Sequence, residues 1–461
     1  MRTGFVFGFV AFGATLYWIA SALSIVTRLA ILGYLATVFL HAVVAGFMAV
    51  TLLFARRATR WPLAILLPLV WVTMELFVEH LHDIRFPWLP LGLATSSHPI
   101  LAQTAELSGV HGVSFWIAAT NGLIADAFLL RASLRKALVR GGAAVALALA
   151  IVSYGAWRLR TLTLSPLAPI AVVQPNVPER DRIRPAHPER FIDALAKLTR
   201  TELAAGSPRM VVWPEVALPA RLSDHPEWSD SLTTLVSSGG APILFGVIDV
   251  RPDNAGVLQV YNAARVTETD GSVSQPPYQK SFLVPVVERV PFLNPRWFGG
   301  SIFLGIFGRG ENLRPFVLPF GRVGALICYE SIFPSLSRRQ RQLGATLMVN
   351  ITNDAWFGRS IAPHQHFAHL ALRAIENRVG IIRAANTGIS AYIDPLGRVH
   401  GETQLFVTAA RTYQADASSV NTAYVRFGDW MGWGSALATL GFLVAYWFRR
   451  PRASTIPRPA R

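Results

Sequence analysis

The sequence predicts a multi-pass α-helical membrane bundle joined to an α/β layered domain. Three observations lead there. Hydrophobic residues make up 52% of the 461 and charged residues only 15%, whereas soluble domains carry nearer a quarter charged. The apolar excess is concentrated in residues 4–160 and 434–448, mostly in stretches long enough to cross a bilayer. Between them, 165–430 has ordinary globular composition and alternates β-like with helix-like patterns.

Residues 4–24, 29–55, 61–80, 113–130, 139–157 and 434–448 read as spans. The chain then divides into a transmembrane bundle of about five spans over 1–160, a globular domain over 161–430, and a last helix with a basic tail over 431–461. Tyr17 and Trp18 lie toward one end of the first stretch, and Trp430, Trp433 and Trp447 suit interfacial anchoring. The first stretch lacks a small-residue cleavage site, so it reads as a retained span rather than a signal peptide. Arg56, Arg57 and Arg60, then Arg131, Arg135, Lys136 and Arg140, then Arg449, Arg450, Arg452, Arg458 and Arg461 follow alternate spans. By the Lys/Arg bias all three clusters are cytoplasmic, which puts the N-terminus inside and the 81–112 loop and globular domain outside. Much of the net charge of +16 lies in these clusters, where it serves topology and anionic headgroups rather than nucleic acid. Glu75 and Glu79 fall late in the third span. Acids there are functional candidates by default, and the sequence assigns them nothing further.

In the globular domain, 169–173, 210–213, 243–247, 257–266, 324–327 and 346–350 read as strands, and 190–205 and 367–379 as helices. Cys328, the single cysteine, follows the apolar run Gly324-Ala325-Leu326-Ile327. An intrachain disulfide is excluded, and a buried core residue is the ordinary reading of a free cysteine. Two further strand ends change that reading. Val211-Val212-Trp213-Pro214-Glu215 ends on a carboxylate, and Tyr278-Gln279-Lys280 supplies an amine. Taken singly, Glu215 reads as a surface residue and Lys280 as a solvated loop charge. Together with Cys328 they form a coherent set: Glu215 to take the thiol proton, Lys280 to lower the thiol pKa and hold an oxyanion, and the Tyr329 N–H as a second donor. His364, His366 and His369 are loosely spaced with no cysteine beside them, so they read as structural. No metal or cofactor is expected.

These motifs stand in an order that resembles the bacterial apolipoprotein N-acyltransferases, a membrane-embedded branch of the nitrilase (carbon–nitrogen hydrolase) superfamily. The resemblance runs through Phe7-Gly8, Tyr17-Trp18-Ile19, Phe86-Pro87-Trp88, Val173-Gln174-Pro175-Asn176-Val177-Pro178 and Trp213-Pro214-Glu215. It continues through Tyr278-Gln279-Lys280-Ser281-Phe282-Leu283-Val284-Pro285, Ile327-Cys328-Tyr329-Glu330, Asn353-Asp354-Ala355-Trp356-Phe357-Gly358 and Asn386-Thr387-Gly388. It implies a four-layer α-β-β-α sandwich and a triad of Glu215 (base), Lys280 and Cys328 (nucleophile). Glu288, Tyr329 and Glu330 are implied in supporting roles. Trp356 stands either near the site or in the core.

The implied reaction is ping-pong. Cys328 takes an acyl chain from a phospholipid as a thioester, then passes it to the α-amine of diacylglyceryl-cysteine on an apolipoprotein. The implied setting is the bacterial inner membrane, with a monomeric enzyme and a periplasmic catalytic domain. Three departures stand out. The family has about two further N-terminal spans, so a smaller bundle or a displaced start is expected. Its Phe-Gly is here Val286-Val287, and its tryptophan arm is here Arg182-Ile183-Arg184. A membrane-anchored amidase or nitrilase with water as acceptor would use the same triad, and an inactive lipid- or lipoprotein-binding scaffold is the remaining alternative.

Overall fold

The computed structural model describes residues 1–25, 28–178, 189–252, 256, 258–292 and 307–449. The Arg182-Ile183-Arg184 arm and the basic tail after 449 lie outside the described residues.

The globular domain is built on two six-stranded sheets. The first comprises β1 (Ser165–Gln174), β2 (Met210–Val212), β3 (Ile243–Pro252), β4 (Leu258–Thr267) and β5 (Tyr278–Gln279), edged by β12 (Ala409–Ala417) in the order β12-β1-β2-β3-β4-β5. The second comprises β6 (Phe316–Leu318), β7 (Gly321–Ile327), β8 (Leu347–Thr352), β9 (Gly380–Ala385), β10 (Ala391–Ile393) and β11 (Val399–His400), in the order β11-β10-β9-β8-β7-β6. β1, β2 and β3 run parallel, as do β7, β8 and β9. These strands are apolar on both faces, as parallel strands covered on both sides must be.

Alternation along each strand makes the layers. Ile170, Val172, Val212 and Leu244 meet Ala325, Ile327, Val349 and Ile382 between the sheets. Ala171, Val173, Val211 and Phe245 face outward onto the helices Glu189–Ala205 and Pro226–Gly239. Leu326, Met348 and Ile381 face the opposite way, onto Pro334–Gln342 and Ala362–Asn377. The result is the four-layer α-β-β-α sandwich. β9 and β12 escape the sequence reading. Arg378 (φ 49) and Val379 join the 362–377 helix to β9 with no turn signal. β12 is an edge strand whose only large apolar side chain is Tyr413. β3 runs past its predicted end because Asp249 and Arg251, polar by composition, stay paired with β4.

Helices occupy all six predicted spans. Ala30–Thr59, Ala105–Leu129, Leu134–Thr161 and the helix from Trp430 are long and apolar enough to cross a membrane. The first predicted span is not straight. It is a pair, Arg2–Thr15 and Trp18–Ser24, bent by 55°. The bend carries Trp18 into the globular domain, where it is buried and its Nε1 donates to Gln365 Oε1 at 2.9 Å. Leu63–Glu79 has only 17 residues, which is about 26 Å of helix. Trp88 follows it in the chain and donates to the same Gln365 oxygen at 2.8 Å. Glu106 accepts from Arg378 Nε at 2.8 Å and from Tyr154 Oη at 2.6 Å, and also pairs with Arg158. These contacts seat the sandwich on the bundle.

Candidate active site

The three predicted groups all lie where strands of the facing sheets end, the usual place for ligands in α/β sheets. Glu215 follows β2, Lys280 follows β5 and Cys328 follows β7. Local backbone geometry aims them. Cys328 has φ 50, the left-handed region that costs a non-glycine residue energy and that clusters at functional sites. The strand turns there into the short 3-10 helix Cys328–Ile332, whose first N–H groups, that of Tyr329 among them, have no partner within the helix. Val216, just after Glu215, has φ 45. The Glu215 backbone passes so close to β3 that a Cβ on Gly246 would lie 2.8 Å from the Glu215 Cα.

Lys280 is buried, and its Nζ lies 2.8 Å from Glu288 Oε1 and 3.3 Å from Glu215 Oε1. Asn262 of β4 donates from Nδ2 to both carboxylates, at 2.7 Å to Glu215 and 3.3 Å to Glu288. The remaining oxygens are also held: Asn353 N–H reaches Glu215 Oε2 at 2.9 Å and Val284 N–H reaches Glu288 Oε2 at 2.8 Å. Burial alone would lower the Lys280 ammonium, but the Glu288 and then the Glu215 carboxylates outweigh it and hold it well above its ordinary range. It is therefore a permanent cation.

Cys328 is half-buried. Burial, then the Glu215 carboxylate, push its thiol well above the usual range, and the Lys280 ammonium only partly offsets them. Lys280 thus acts on the thiol in the expected sense, but a neighbouring carboxylate and desolvation together exceed one ammonium. A thiol pushed up in this way needs a base to take its proton if it is to attack. Glu215→Gln keeps the size of the side chain and cannot accept that proton. Acylation by this variant is expected to fall by about three orders of magnitude, read as the single-turnover rate of adduct formation by intact mass.

Glu330 does not face a ligand. It is fully buried and accepts from Ile327 N–H (2.8 Å), Tyr278 Oη (2.7 Å) and Ser281 N–H (2.6 Å), with Phe282 N–H at 3.3 Å. It therefore ties the nucleophile turn to the segment bearing Lys280. Burial raises its carboxyl to about 7. A raised folded-state pKa contributes stability that is fully present below the ordinary glutamate range and is lost as pH rises through about 7. Between pH 5 and 8 the melting temperature should fall, and Glu330→Gln should flatten that slope while slowing acylation about tenfold or more by loosening the turn.

The Tyr329 side chain is likewise turned from the thiol. Its Oη donates to the Arg85 carbonyl at 2.6 Å, and its ring stacks with Phe86 and Trp88. Trp356 is half-buried, while Phe357 packs on Trp18 and Trp88. His366 bridges Asp354 (Nδ1 to Oδ1, 3.0 Å) and the Cys328 carbonyl (Nε2 to O, 3.1 Å). His369 Nε2 lies 3.0 Å from the Trp88 carbonyl, and His364 is exposed. Arg383 Nη2 pairs with Asp354 Oδ2 at 2.7 Å. Sequence reasoning missed Asn262, Asn353, Asp354 and Arg383 as parts of the site. Asn262 was visible as an amide inside the apolar 257–266 run, and Asn353 and Asp354 stood in the Asn353-Asp354-Ala355-Trp356 motif without a role of their own; Arg383 carries no such mark.

Comparison with known proteins accounts for both halves of the chain. Residues 170–423 match the Carbon-nitrogen hydrolase family, and residues 1–123 match the Apolipoprotein N-acyltransferase N-terminal domain. A curated relative from Geobacter metallireducens, an apolipoprotein N-acyltransferase, is 32% identical over 97% of this chain and 87% of its own. The chain belongs to the apolipoprotein N-acyltransferases. Another member, from Chlorobaculum tepidum, is 29% identical over 86% of this chain and 79% of its own. Among solved structures, an amidase from Nesterenkonia sp. matches at 19% identity with a TM-score of 0.42, over 58% of this chain and 95% of that one. The acyltransferase family brings acyl-transfer chemistry on a carbon–nitrogen hydrolase domain, in a membrane-embedded protein of the bacterial inner membrane.

Proposed function

We propose that Cys328 carries an acyl chain from a phospholipid to the α-amine of diacylglyceryl-cysteine on an apolipoprotein. Glu215 accepts the Sγ proton as sulfur attacks the ester carbonyl. The oxyanion forms against the Lys280 ammonium and the Tyr329 N–H. Collapse breaks the bond to the glycerol oxygen, Glu215 returns the proton to that oxygen, and a lysophospholipid leaves the thioester behind. The amine then attacks the thioester carbon, Glu215 takes a proton from nitrogen, and the thiol is restored with an amide formed. Glu288 keeps Lys280 charged and fixed through both halves.

The observation that supports this reading is the buried Lys280 ammonium, gripped by Glu215 and Glu288 within electrostatic reach of the Cys328 thiol. The catalytic domain is proposed to lie on the periplasmic side, which the Arg clusters after alternate spans support. The test is intact mass of the purified protein with phospholipid, before and after hydroxylamine. A hydroxylamine-labile acyl adduct is expected, discharged by a lipopeptide amine faster than by water. No adduct on folded protein overturns the reading, and discharge by water as fast as by the amine makes the protein a hydrolase.

A further inference from the structure

Asp354, His366 and Arg383 are fully buried and have no part in the chemistry above. They close on the backbone of the nucleophile. The Cys328 carbonyl oxygen lies 3.1 Å from His366 Nε2 and accepts from Ser331 Oγ at 3.0 Å. The other ring nitrogen, Nδ1, lies 3.0 Å from Asp354 Oδ1. Thr352 completes the group from the next strand. Ile327 and Ile351 are partners in the parallel pairing of β7 with β8, so Cys328 and Thr352 leave the two strands side by side. The Thr352 hydroxyl donates to Asp354 Oδ1 at 3.1 Å and also hydrogen-bonds the Cys328 thiol. Asp354 thus reaches both ends of one residue, the carbonyl through His366 and the sulfur through Thr352.

Each member of the group is itself held. Arg383 of β9 donates from Nη2 to Asp354 Oδ2 at 2.7 Å and from Nη1 to Asn350 Oδ1. Asn350 Nδ2 in turn donates to the Leu326 carbonyl at 3.1 Å, two residues before the nucleophile. The His366 ring stacks on Trp88, with centroids 5.5 Å apart. A Cβ on Gly388 would lie 2.3 Å from Asp354 Oδ2, so glycine there leaves room for the carboxylate. Thr352 Oγ1 and Ser331 Oγ donate to the same two oxygens that the ring faces, so both acceptors stay satisfied whichever ring nitrogen carries the proton. A non-glycine residue at φ 50 persists only where its surroundings over-determine it. Ser331 shares the short 3-10 helix of Cys328 and would move with it, whereas His366 ties the turn to the Ala362–Asn377 helix.

With Cys328 as the nucleophile of the reading above, we infer that His366, anchored on Asp354, is a positioning residue for it. His366 fixes the left-handed backbone that aims the Cys328 sulfur, and Thr352 fixes the sulfur itself. His366, Asp354 and Thr352 are sealed in the core, so their loss is felt in the rate and not in the affinity for substrate. Misplacing a reacting atom by about 1 Å costs about 10²-fold, and a supporting layer of locked side chains is what prevents it.

Four variants test this in pairs. His366→Asn keeps an amide near the Nδ1 position and leaves the Cys328 carbonyl without its ring contact, while His366→Gln reaches the Nε2 position. Thr352→Val removes the hydroxyl at constant shape, while Thr352→Ser keeps it. Two rates are read by intact mass on the full-length protein in detergent. One is single-turnover acylation over a range of dioleoyl phosphatidylethanolamine concentrations. The other is alkylation by iodoacetamide, which reports one site because Cys328 is the only cysteine. His366→Asn and Thr352→Val should each lower the maximal acylation rate about 30-fold or more and alkylation about tenfold, with the half-saturating lipid concentration within about threefold of wild type. His366→Gln and Thr352→Ser should recover both rates to within about fivefold of wild type. A purely structural role would lower the melting temperature and leave the rates of the folded protein alone. Rates within about threefold of wild type in His366→Asn overturn the role of His366, and the same in Thr352→Val removes Thr352 from it. A glutamine variant no faster than the asparagine one also overturns the inference. Should His366→Asn not fold, His366→Phe keeps the ring on Trp88 and takes its place with the same expected loss. Alkylation needs no acyl transfer, so a wild type that forms no acyl adduct sinks the transfer reading while the alkylation rates still decide this one.

Discussion

Cys328→Ser is expected to lower acyl transfer by about four orders of magnitude and to leave no hydroxylamine-labile adduct. The substitution changes one atom and should leave the fold intact, since the 328 backbone is held from outside the side chain. The Cys328 carbonyl lies 3.0 Å from Ser331 Oγ and 3.1 Å from His366 Nε2. What changes is the chemistry. Glu215 already faces a thiol that burial and its own charge push above the usual range, and a hydroxyl is a far weaker acid. The carboxylate then lacks the driving force to remove the proton during attack. The measurement is the single-turnover rate with phospholipid, with the melting temperature as the control. A serine variant retaining a tenth of the rate would remove Cys328 from the nucleophile's place.

Lys280→Met should damage both stability and catalysis, and the two are separable. Nζ is shared between Glu288 Oε1 at 2.8 Å and Glu215 Oε1 at 3.3 Å, with the side chain 1% exposed. Methionine fills the volume but leaves two buried carboxylates facing each other with only Asn262 between them. Removing one partner of a buried ion pair costs about 3–5 kcal/mol. The melting temperature should drop accordingly. Loss of an oxyanion donor adds about 10²–10³ in acylation rate. Lys280→Met/Glu288→Gln removes a charge of each sign and should recover much of the stability while leaving acylation slow. A double variant that recovers the rate as well would reduce Lys280 to a structural counter-ion.

How much of this was legible in advance depended on the range of the interaction. The Cys328 turn, the Glu215 strand end and the Lys280 segment each announce themselves locally, as a polar residue closing an apolar run. Glu330 was implied only in a supporting role beside Cys328. Its true partners, Ser281 N–H and Tyr278 Oη, are about fifty residues away in the chain, so no window of sequence contains them. The bend after Thr15 was hidden for a related reason. Hydropathy over residues 4–24 is continuous, and the direction of Trp18 is decided by Gln365, far along the chain.

Composition and periodicity alone determined that this chain lives in a membrane, carries an α/β domain and offers one thiol, because these follow from transfer free energies and side-chain alternation that act residue by residue. Tertiary structure alone decided the state of that thiol. One ammonium and one carboxylate near a cysteine can raise or lower its acidity, and the sign depends on burial and on who else holds the lysine. Here Glu288 and Asn262 take up Lys280 and Glu215, and burial with the Glu215 carboxylate pushes the thiol above its ordinary range. The same holds for Glu75 and Glu79: as letters they mark only a span end, and only the packed bundle lines them with apolar walls and gives Glu75 the Trp71 and Leu91 N–H donors.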